Sequence, residues 1–218
     1  MNKTGFYPPN GLRFGQNFLC ISLDVTNLNK VGVQLEYNEA NVFYKNVPEH
    51  LKSVYFNYID PHIAKTHRLR EKKLEKLSSL QDITFFSFAK KGSFRKDLYL
   101  DWVAPTLHSN LYVQTWLNSK NPLPSNCNKN YSVNNVEHLR FNQFELSFKT
   151  TIDHSKWAVS ARRSPKKWIC IGDVNRASRQ TMRGGGTVCF TNKNVVHAYQ
   201  SIVVKTEECE HIQSIKST

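Results

Sequence analysis

Apolar stretches alternate with polar and charged stretches along this chain, in a pattern that predicts a mixed α/β domain. The segment 17–24, NFLCISLD, is an apolar run between polar residues, which is typical of a buried strand. A helix is predicted next, with Thr26 as its N-cap. Its apolar residues recur at the spacing of one helix face: Leu28, Val31 and Leu35. A second helical stretch is predicted to begin at Pro48.

From residue 82 onward, runs of β-branched and aromatic residues are separated by helical patterns. In chain order the predicted elements are strand 82–89, helix 94–107, strand 110–118, strands 144–152 and 166–174, and helix 194–204. The segment 121–135 is rich in Pro, Asn and Ser, and we predict a loop there. Strand, helix and strand in succession imply a βαβ unit and a parallel or mixed sheet.

The chain carries a strong excess of positive charge. Its 30 lysine and arginine residues outnumber 17 acidic residues, so the formal net charge is +13 at pH 7. Ionisation of all eight histidines would raise this charge to +21, since an unperturbed imidazole titrates at ~6.5. The charge indicates a polyanionic partner such as nucleic acid, bound more strongly in acid. We interpret the cationic run Lys65–Lys76 as a solvated helix face, with a DNA-binding track as the alternative.

The five cysteines favour an oxidising compartment over a zinc site. None of them forms a C-x-x-C pair, and two glycosylation sequons begin at Asn2 and Asn130. No run of 18 apolar residues occurs, so no ordinary transmembrane helix and no membrane partner are predicted. The first residues also lack the apolar core of a signal peptide. The cysteines and sequons indicate an exported protein, whereas no signal peptide is visible, so we expect that the N-terminus is truncated.

The strongest chemical signal is a histidine and a lysine two residues apart, His154 and Lys156, within DHSKWAVS. On a strand, side chains two apart point to the same face, so both can reach one phosphate. An H-x-K pair alone is common by chance. A second element, Gly172-Asp173-x-Asn175, follows on the next predicted strand. It resembles the G-S-x-N of phospholipase D-type sites, with Asp173 in the serine position.

Longer segments resemble the deoxyribonuclease II family, acid endonucleases of the phospholipase D superfamily. The resemblance rests on six ordered motifs: FGQNFLC (14–20), DLYLDWVAPTL (97–107), LPSNC (123–127), DHSKWAV (153–159), CIGDVNR (170–176) and RGGGTVC (183–189). It implies an α/β fold with a phospholipase D-like mixed sheet flanked by helices, in which two related halves each contribute one H-x-K. Residues 1–218 would then be one domain, with 1–80 a remnant of the first half and its linking helices, and 81–218 the second half.

The same resemblance implies a catalytic set. His154 would be nucleophile or general acid/base, while Lys156 and Asn175 would hold the phosphate oxygens. Asp173 would either orient His154 or be a simple strand-end residue. The family cleaves DNA with two histidines and a phosphohistidine intermediate, so neither a metal ion nor a cofactor is implied.

The family's first H-x-K is absent, because it precedes the region matched by FGQNFLC. His50 and Lys52 form another such pair, but they lie in a stretch predicted to be helical, where residues two apart diverge. We interpret that pair as a chance match. A second chain or an N-terminal half would therefore have to complete the site.

The resemblance pairs the cysteines as Cys170 with Cys189 and Cys127 with Cys209. Cys20 is left over, because its family partner lies near the mature N-terminus. It could equally be a small buried hydrophobic residue.

Two functions of different classes are therefore predicted. The first is metal-independent acid hydrolysis of DNA phosphodiesters, in the lysosome or after secretion; the family pattern predicts that the isolated chain is incomplete for this reaction. The alternative is a catalytically inactive, secreted DNA-binding or effector protein derived from this family. Salt-sensitive DNA binding without turnover would distinguish the second from the first.

Two further segments have simple structural interpretations. Arg183–Gly186 is predicted to be a tight turn between strands, with a phosphate-binding backbone nest as the alternative. Trp102, Tyr112 and Trp116 lie in apolar periodic segments and are predicted to be core residues.

Overall fold

A computed structural model describes residues 14–40, 46, 48–49 and 71–209 of the chain. Its helices are α1 (Leu28–Tyr37), α2 (Ala104–Leu107), which continues a π-helical segment at Tyr99–Val103, and α3 (Lys193–Ile202). Its strands are β1 (Lys72–Ser78), β2 (Thr84–Lys90), β3 (Leu111–Gln114), β4 (Val133–Phe141), β5 (Leu146–Lys149), β6 (Trp157–Ser160), β7 (Trp168–Gly172), β8 (Gly185–Thr191) and β9 (Val203–Thr206).

The described strands form a single mixed sheet. Their order is β1-β2-β8-β7-β6-β3-β4-β5, and β9 pairs with β4. The β3–β4 pair is parallel and the other pairs are antiparallel. Successive antiparallel pairings make β2 and β3 run in the same direction, with a helical crossover between them. The predicted mixed sheet flanked by helices is therefore confirmed.

The core lies on both faces of the sheet, because neighbouring strand residues alternate between them. Ala158 packs in the cluster beneath helix 99–107, whereas Trp157 and Val159 pack in the cluster beneath α3. The first cluster also contains Trp102, as predicted, at 7% exposure. Tyr112 packs against the second cluster.

The predicted strand at 17–24 is wrong. Within it, Leu23 forms an isolated bridge with Ser79, and Phe18 is 61% exposed. Asn17 explains the absence of a ladder, since its side chain accepts a hydrogen bond from Lys156 N and donates one to Lys156 O. A side chain thus replaces the backbone pairing that a strand requires.

Helix α1 is confirmed, but its cap differs from the prediction. Asp24 accepts a hydrogen bond from Thr26 N at 2.8 Å and caps a short 3-10 turn before the helix. Thr26 therefore contributes its backbone N–H and is not the N-cap. A carboxylate outcompetes the threonine hydroxyl here because it lies two residues upstream of the free N–H groups.

The described part of the cationic run is a strand, not a helix. Residues Lys72–Ser78 pair antiparallel with β2 over seven residues. The ammonium of Lys72 lies 4.9 Å from the centre of the Trp102 ring, and that of Lys76 lies 5.3 Å from the Phe86 ring. Pairing with β2 and these cation–π contacts outweigh local helical preference. The described residues do not include Lys65, Arg68 and Arg70, nor the pair His50 and Lys52. Of the helical stretch predicted to begin at Pro48, the structure describes little more than its first residues.

Two other predictions need correction. The predicted loop 121–135 ends early, since β4 begins at Val133. The predicted tight turn at Arg183–Gly186 is instead the start of β8, where Gly186 pairs with Ala89 of β2. A Cβ on Gly186 would lie 2.1 Å from the Phe88 carbonyl oxygen, so the glycine permits close backbone approach. Helix α3 also ends at Ile202, and the chain turns directly into β9.

Both predicted disulfides are present. Cys170–Cys189 joins directly paired residues of β7 and β8, with Cα atoms 4.0 Å apart. Cys127–Cys209 ties the loop before β4 to the segment after β9, across a Cα separation of 5.8 Å. Cys20 is an exposed free thiol, which excludes the alternative of a buried hydrophobic residue. Among the described helices, none is long and apolar enough to cross a membrane.

Candidate functional site

Five strand ends meet at one edge of the sheet. The antiparallel registers place the last residues of β2, β3 and β7 beside the first residues of β6 and β8. Lys90 therefore faces Gly185, and Gln114 faces Trp157. Residues that immediately precede β6 or follow β7 consequently share this edge, and they include all four predicted site residues.

His154 and Lys156 contact each other directly. They lie just before β6, outside the strand on which we predicted them. The Lys156 Nζ lies 3.0 Å from His154 Nδ1, and it also donates to the His154 carbonyl oxygen. Gln16 Nε2 approaches the same Nδ1 at 2.9 Å. The expected convergence of the histidine and the lysine is therefore present, although a strand does not produce it.

A buried carboxylate fixes the backbone around His154. Asp153 accepts hydrogen bonds from Ser155 Oγ at 2.7 Å and from Gln114 Nε2 at 2.9 Å. Gln114 Nε2 also donates to the Asp153 carbonyl oxygen at 2.9 Å. Because Gln114 ends β3, this network joins the His154 segment to the sheet.

Burial changes the acidity of both site groups. Desolvation lowers the pKa of His154, the positive charge of Lys156 lowers it further, and Asp153 opposes the change. Desolvation is also the main cause that lowers the pKa of Lys156 to about 8. The negative charges of Asp153 and Asp173 raise this pKa, and the positive charge of Arg183 lowers it. Lys156 therefore remains an ammonium in neutral and acidic solution.

The charged lysine determines the hydrogen position on the imidazole. An ammonium has only hydrogens to donate, so His154 Nδ1 accepts from it. The neutral ring must then carry its hydrogen on Nε2. In this tautomer His154 presents an N–H donor at the nitrogen that neither Lys156 nor Gln16 contacts.

Asn175 and Asp173 follow β7 at the same edge. Gly172 N donates to the Lys156 carbonyl oxygen at 3.0 Å, which brings the end of β7 beside Lys156. Asn175 is 8% exposed, and its Oδ1 has no hydrogen-bond partner among the described residues. It lines a narrow cleft with Lys90 and Tyr99. No hydrogen bond joins Asn175 to His154 or Lys156 within the described part of the chain.

Asp173 has partners of its own. Its Oδ1 accepts from Gly186 N at 2.7 Å, and its Oδ2 lies 3.2 Å from Arg183 Nη2. Both contacts lead to the start of β8, and no hydrogen bond joins Asp173 to His154 within the described part of the chain. Of the two predicted roles, the described contacts favour the strand-end residue over the residue that orients His154.

Trp116 belongs to this site, and the prediction that it is a core residue is wrong. It follows β3, it is half-buried, and its ring centre lies 4.4 Å from that of His154. Phe14 lies 6.1 Å from the same imidazole and is 36% exposed. Trp116 lay within the predicted strand 110–118, so the sequence offered no signal that separated it from a core residue; the observed strand ends at Gln114.

A cavity lies next to the site but is not lined by His154. It encloses about 560 Å³ between α3 and the β4–β5 hairpin, behind Gln16 and Asn17. Its walls are mainly aromatic and aliphatic, with Phe141, Phe148 and Tyr199 among them. We assign the chemistry to the polar sheet edge because the ionisable groups lie there.

Comparison with known proteins identifies close relatives. The family model for deoxyribonuclease II matches residues 1–209. The chain is 40% identical to deoxyribonuclease-2-alpha of Mus musculus over 93% of its length, and 36% identical to plancitoxin-1 of Acanthaster planci over 95%. It is 33% identical to deoxyribonuclease-2 of Caenorhabditis elegans over 95% of its length. It spans 57%, 58% and 55% of the lengths of these three relatives, respectively.

Proposed function

Because the chain belongs to the deoxyribonuclease II family, we propose that it takes part in metal-independent hydrolysis of DNA phosphodiesters through His154. The observation that carries this proposal is the direct contact between His154 and Lys156 at an edge where five strands end. An imidazole beside an ammonium offers a proton-transfer group and a fixed positive charge to the same phosphate.

His154 would act as nucleophile or as general acid/base, and either role uses its Nε2. A nucleophilic Nε2 requires a ring hydrogen on Nδ1, and the imidazolium that serves as general acid carries a hydrogen there too. The Lys156 ammonium beside Nδ1 therefore opposes both of these protonation states in the absence of a phosphate. Full acid strength requires the imidazolium, which forms in acidic solution and is stabilised by the negative phosphate.

Lys156 and Asn175 would hold the phosphate. Lys156 supplies charge to the non-bridging oxygens, and the Asn175 amide supplies a hydrogen-bond donor from the end of β7. The small exposure of both residues, 8% each, would strengthen these electrostatic contacts.

The family divides the roles of nucleophile and general acid between two histidines, so His154 needs a partner in either role. The other described histidines are engaged or placed elsewhere: His108 contacts Tyr131, His138 contacts Ser147, and His197 lies on α3. We therefore propose that a second chain, or a segment equivalent to the family's N-terminal half, supplies the second histidine. The same observation favours an alternative function, in which this chain binds DNA without cutting it.

The disulfides and the exposed Asn130 support an extracytoplasmic location. Both Cys170–Cys189 and Cys127–Cys209 require oxidising conditions to persist. Asn130 begins a sequon and is exposed. We propose that the protein acts in the lysosome or after secretion, as a glycoprotein.

Nicking of supercoiled plasmid DNA in chelator at pH ~5, where a free imidazole is largely charged, tests the nuclease proposal. His154→Ala should abolish cutting, whereas His197→Ala, which changes an exposed helix residue, should not. Cutting that survives His154→Ala would exclude the assigned role. If the chain alone does not cut, addition of a polypeptide that carries the family's first H-x-K should restore cutting. Salt-sensitive DNA binding without restoration would support the binding-protein alternative.

A further inference from the structure

An aromatic cluster surrounds the imidazole of His154. Trp116 lies 4.4 Å from it, Phe14 lies 6.1 Å from it, and the Trp116 and Phe14 rings are 6.4 Å apart. All three rings are tilted against one another, at angles between 36° and 59°. Aromatic rings beside the proposed phosphate-binding pair are placed where they could contact the rest of a nucleic-acid ligand.

The structure holds Trp116 firmly in this position. Its indole N–H donates to the Thr151 carbonyl oxygen at 2.9 Å, and its backbone N–H donates to Gln114 Oε1 at 3.1 Å. Its φ of +54° lies in the left-handed region, which a bulky side chain rarely adopts. A strained backbone beside a reactive histidine indicates that the ring position serves the site.

The cluster differs from the protein core in its exposure. The other three tryptophans, Trp102, Trp157 and Trp168, are between 2% and 7% exposed. Trp116 is half-buried, and Phe14 retains 36% of its surface. Large aromatic surface is therefore open to a ligand at the point where Lys156 is expected to hold a phosphate.

We infer that Trp116 and Phe14 form a nucleobase-binding subsite, which stacks an unpaired base of the nucleotide whose phosphate is bound by Lys156. A base and its own phosphate are separated by one sugar, so a single nucleotide can reach both groups. Stacking on an aromatic ring tolerates every base, because each has a π face. The inference rests on the proposed function, since it takes DNA as the ligand of the His154 site.

A paired and stacked base must leave the duplex before it can lie on Trp116, and the stacking contact offsets part of that cost.

A pair of small ligands tests the subsite on the whole chain. Thymidine 3′,5′-bisphosphate and 2-deoxyribose 3,5-bisphosphate carry the same phosphates and differ by the base. We expect the nucleotide to bind about tenfold more tightly, within the range that one stacked base contributes. It should also quench tryptophan fluorescence, because Trp116 is the tryptophan that is open to it. Equal affinities in the wild-type protein would overturn the inference without recourse to any variant.

Variants separate stacking from packing. Trp116→Leu should remove about tenfold in affinity for the nucleotide and leave the base-free ligand unchanged, whereas Trp116→Phe should retain most of the preference. Phe14→Leu, at an exposed position, provides a second test with little risk to folding. Phe144→Leu, at a residue that is 73% exposed on the β4–β5 hairpin, is the matched control. If Phe14→Leu and Trp116→Leu weaken both ligands equally, the cluster merely packs His154 and the subsite is excluded.

Plasmid cutting is measured on the same preparations. Base discrimination without any cutting, even after addition of a polypeptide that carries the family's first H-x-K, would refute the proposed nuclease function alone. Cutting without base discrimination would refute the subsite alone.

Discussion

Lys156 and His154 influence each other because their side chains meet at 3.0 Å in a partly desolvated position. Two neighbouring cations repel each other strongly in such a position, so protonation of the imidazole is unfavourable while the ammonium is charged. The folded ring therefore binds a proton at lower pH than the unfolded ring. The unfolded state binds more protons in the interval between the two pKa values, and the free energy of unfolding must decrease as pH falls through that interval.

Lys156→Gln should raise the pKa of His154, because it removes the positive neighbour and leaves the burial unchanged. It should also weaken the loss of stability below pH ~6.5 that this ring contributes. Titration of imidazole proton resonances by NMR measures the change, with His154→Gln used to assign the signal. His138, whose ring contacts Ser147 on β5, is the internal control, and its resonances should be the same in the variant and the wild-type protein at any given pH. An unchanged or lowered pKa of His154 would show that Lys156 does not control it.

At the scale of elements, the segment after β7 is held by a buried ion pair. Arg176 donates to Asp97 Oδ2 at 2.8 Å and to the Pro124 carbonyl oxygen at 3.0 Å, and it is 2% exposed. Its Nη1 also donates to Asn135 Oδ1 on β4. Arg176 directly follows Asn175, so the same contacts position the phosphate-binding amide. The buried Lys90 holds the next segment, through the carbonyl oxygens of residues 180, 181 and 183.

Arg176→Met should lower the free energy of unfolding by about 3–5 kcal/mol, because it leaves the Asp97 carboxylate buried without its partner. Urea denaturation at pH 7 under oxidising conditions measures the effect. Arg179→Met, at an exposed position in the same segment, is the control and should change stability by less than about 0.5 kcal/mol. An equal loss in both variants would mean that the ion pair contributes no special stability.

The elements that sequence predicts correctly are those with a local pattern. Helix α3 and strands β2, β3 and β7 carry their periodicity or apolar run within one segment. Strand β1 does not, since its lysines become strand residues through pairing with β2 and contact with aromatic rings. The asparagines at the start of β4 led us to predict a loop there, although Asn135 is buried and accepts a hydrogen bond from Arg176. Distant partners, which no local window contains, decide such segments.

The residues of the site also differ in whether a local pattern or a distant partner decides their position. The spacing of His154 and Lys156 was sufficient to predict their contact, even though they precede β6 and are not part of it. Trp116 could not be distinguished from a core tryptophan, because its role depends on the register that places Gln114 opposite Trp157. Gln16 was missed because it reaches Nδ1 across 138 positions of sequence.

At the scale of the whole molecule, the sequence has a formal net charge of +13, and the described residues include cations at both ends of the sheet. The site edge carries Lys156 and Arg183, and Arg183 is half-exposed beside Asp173. The opposite edge, where β6 ends and β7 begins, carries Lys166 in the connecting turn. Net charge alone would attract DNA to either edge. The proposed site predicts instead that DNA binds at the edge that carries Lys156 and Arg183.

Salt dependence of DNA affinity can decide which edge binds. Each lysine or arginine that neutralises a duplex phosphate contributes about −0.9 to the slope of log K against log salt, and about −0.7 for single strands. Arg183→Gln should therefore reduce the magnitude of the slope by roughly one and weaken binding at low salt. Lys166→Gln removes the same charge from the opposite edge and should leave the slope nearly unchanged. Fluorescence anisotropy with a labelled oligonucleotide at pH 7.5, in chelator and from 50 to 200 mM salt, measures both variants. Equal slopes for the two variants would mean that DNA is attracted by overall charge, and the site edge would then have no privileged role in binding.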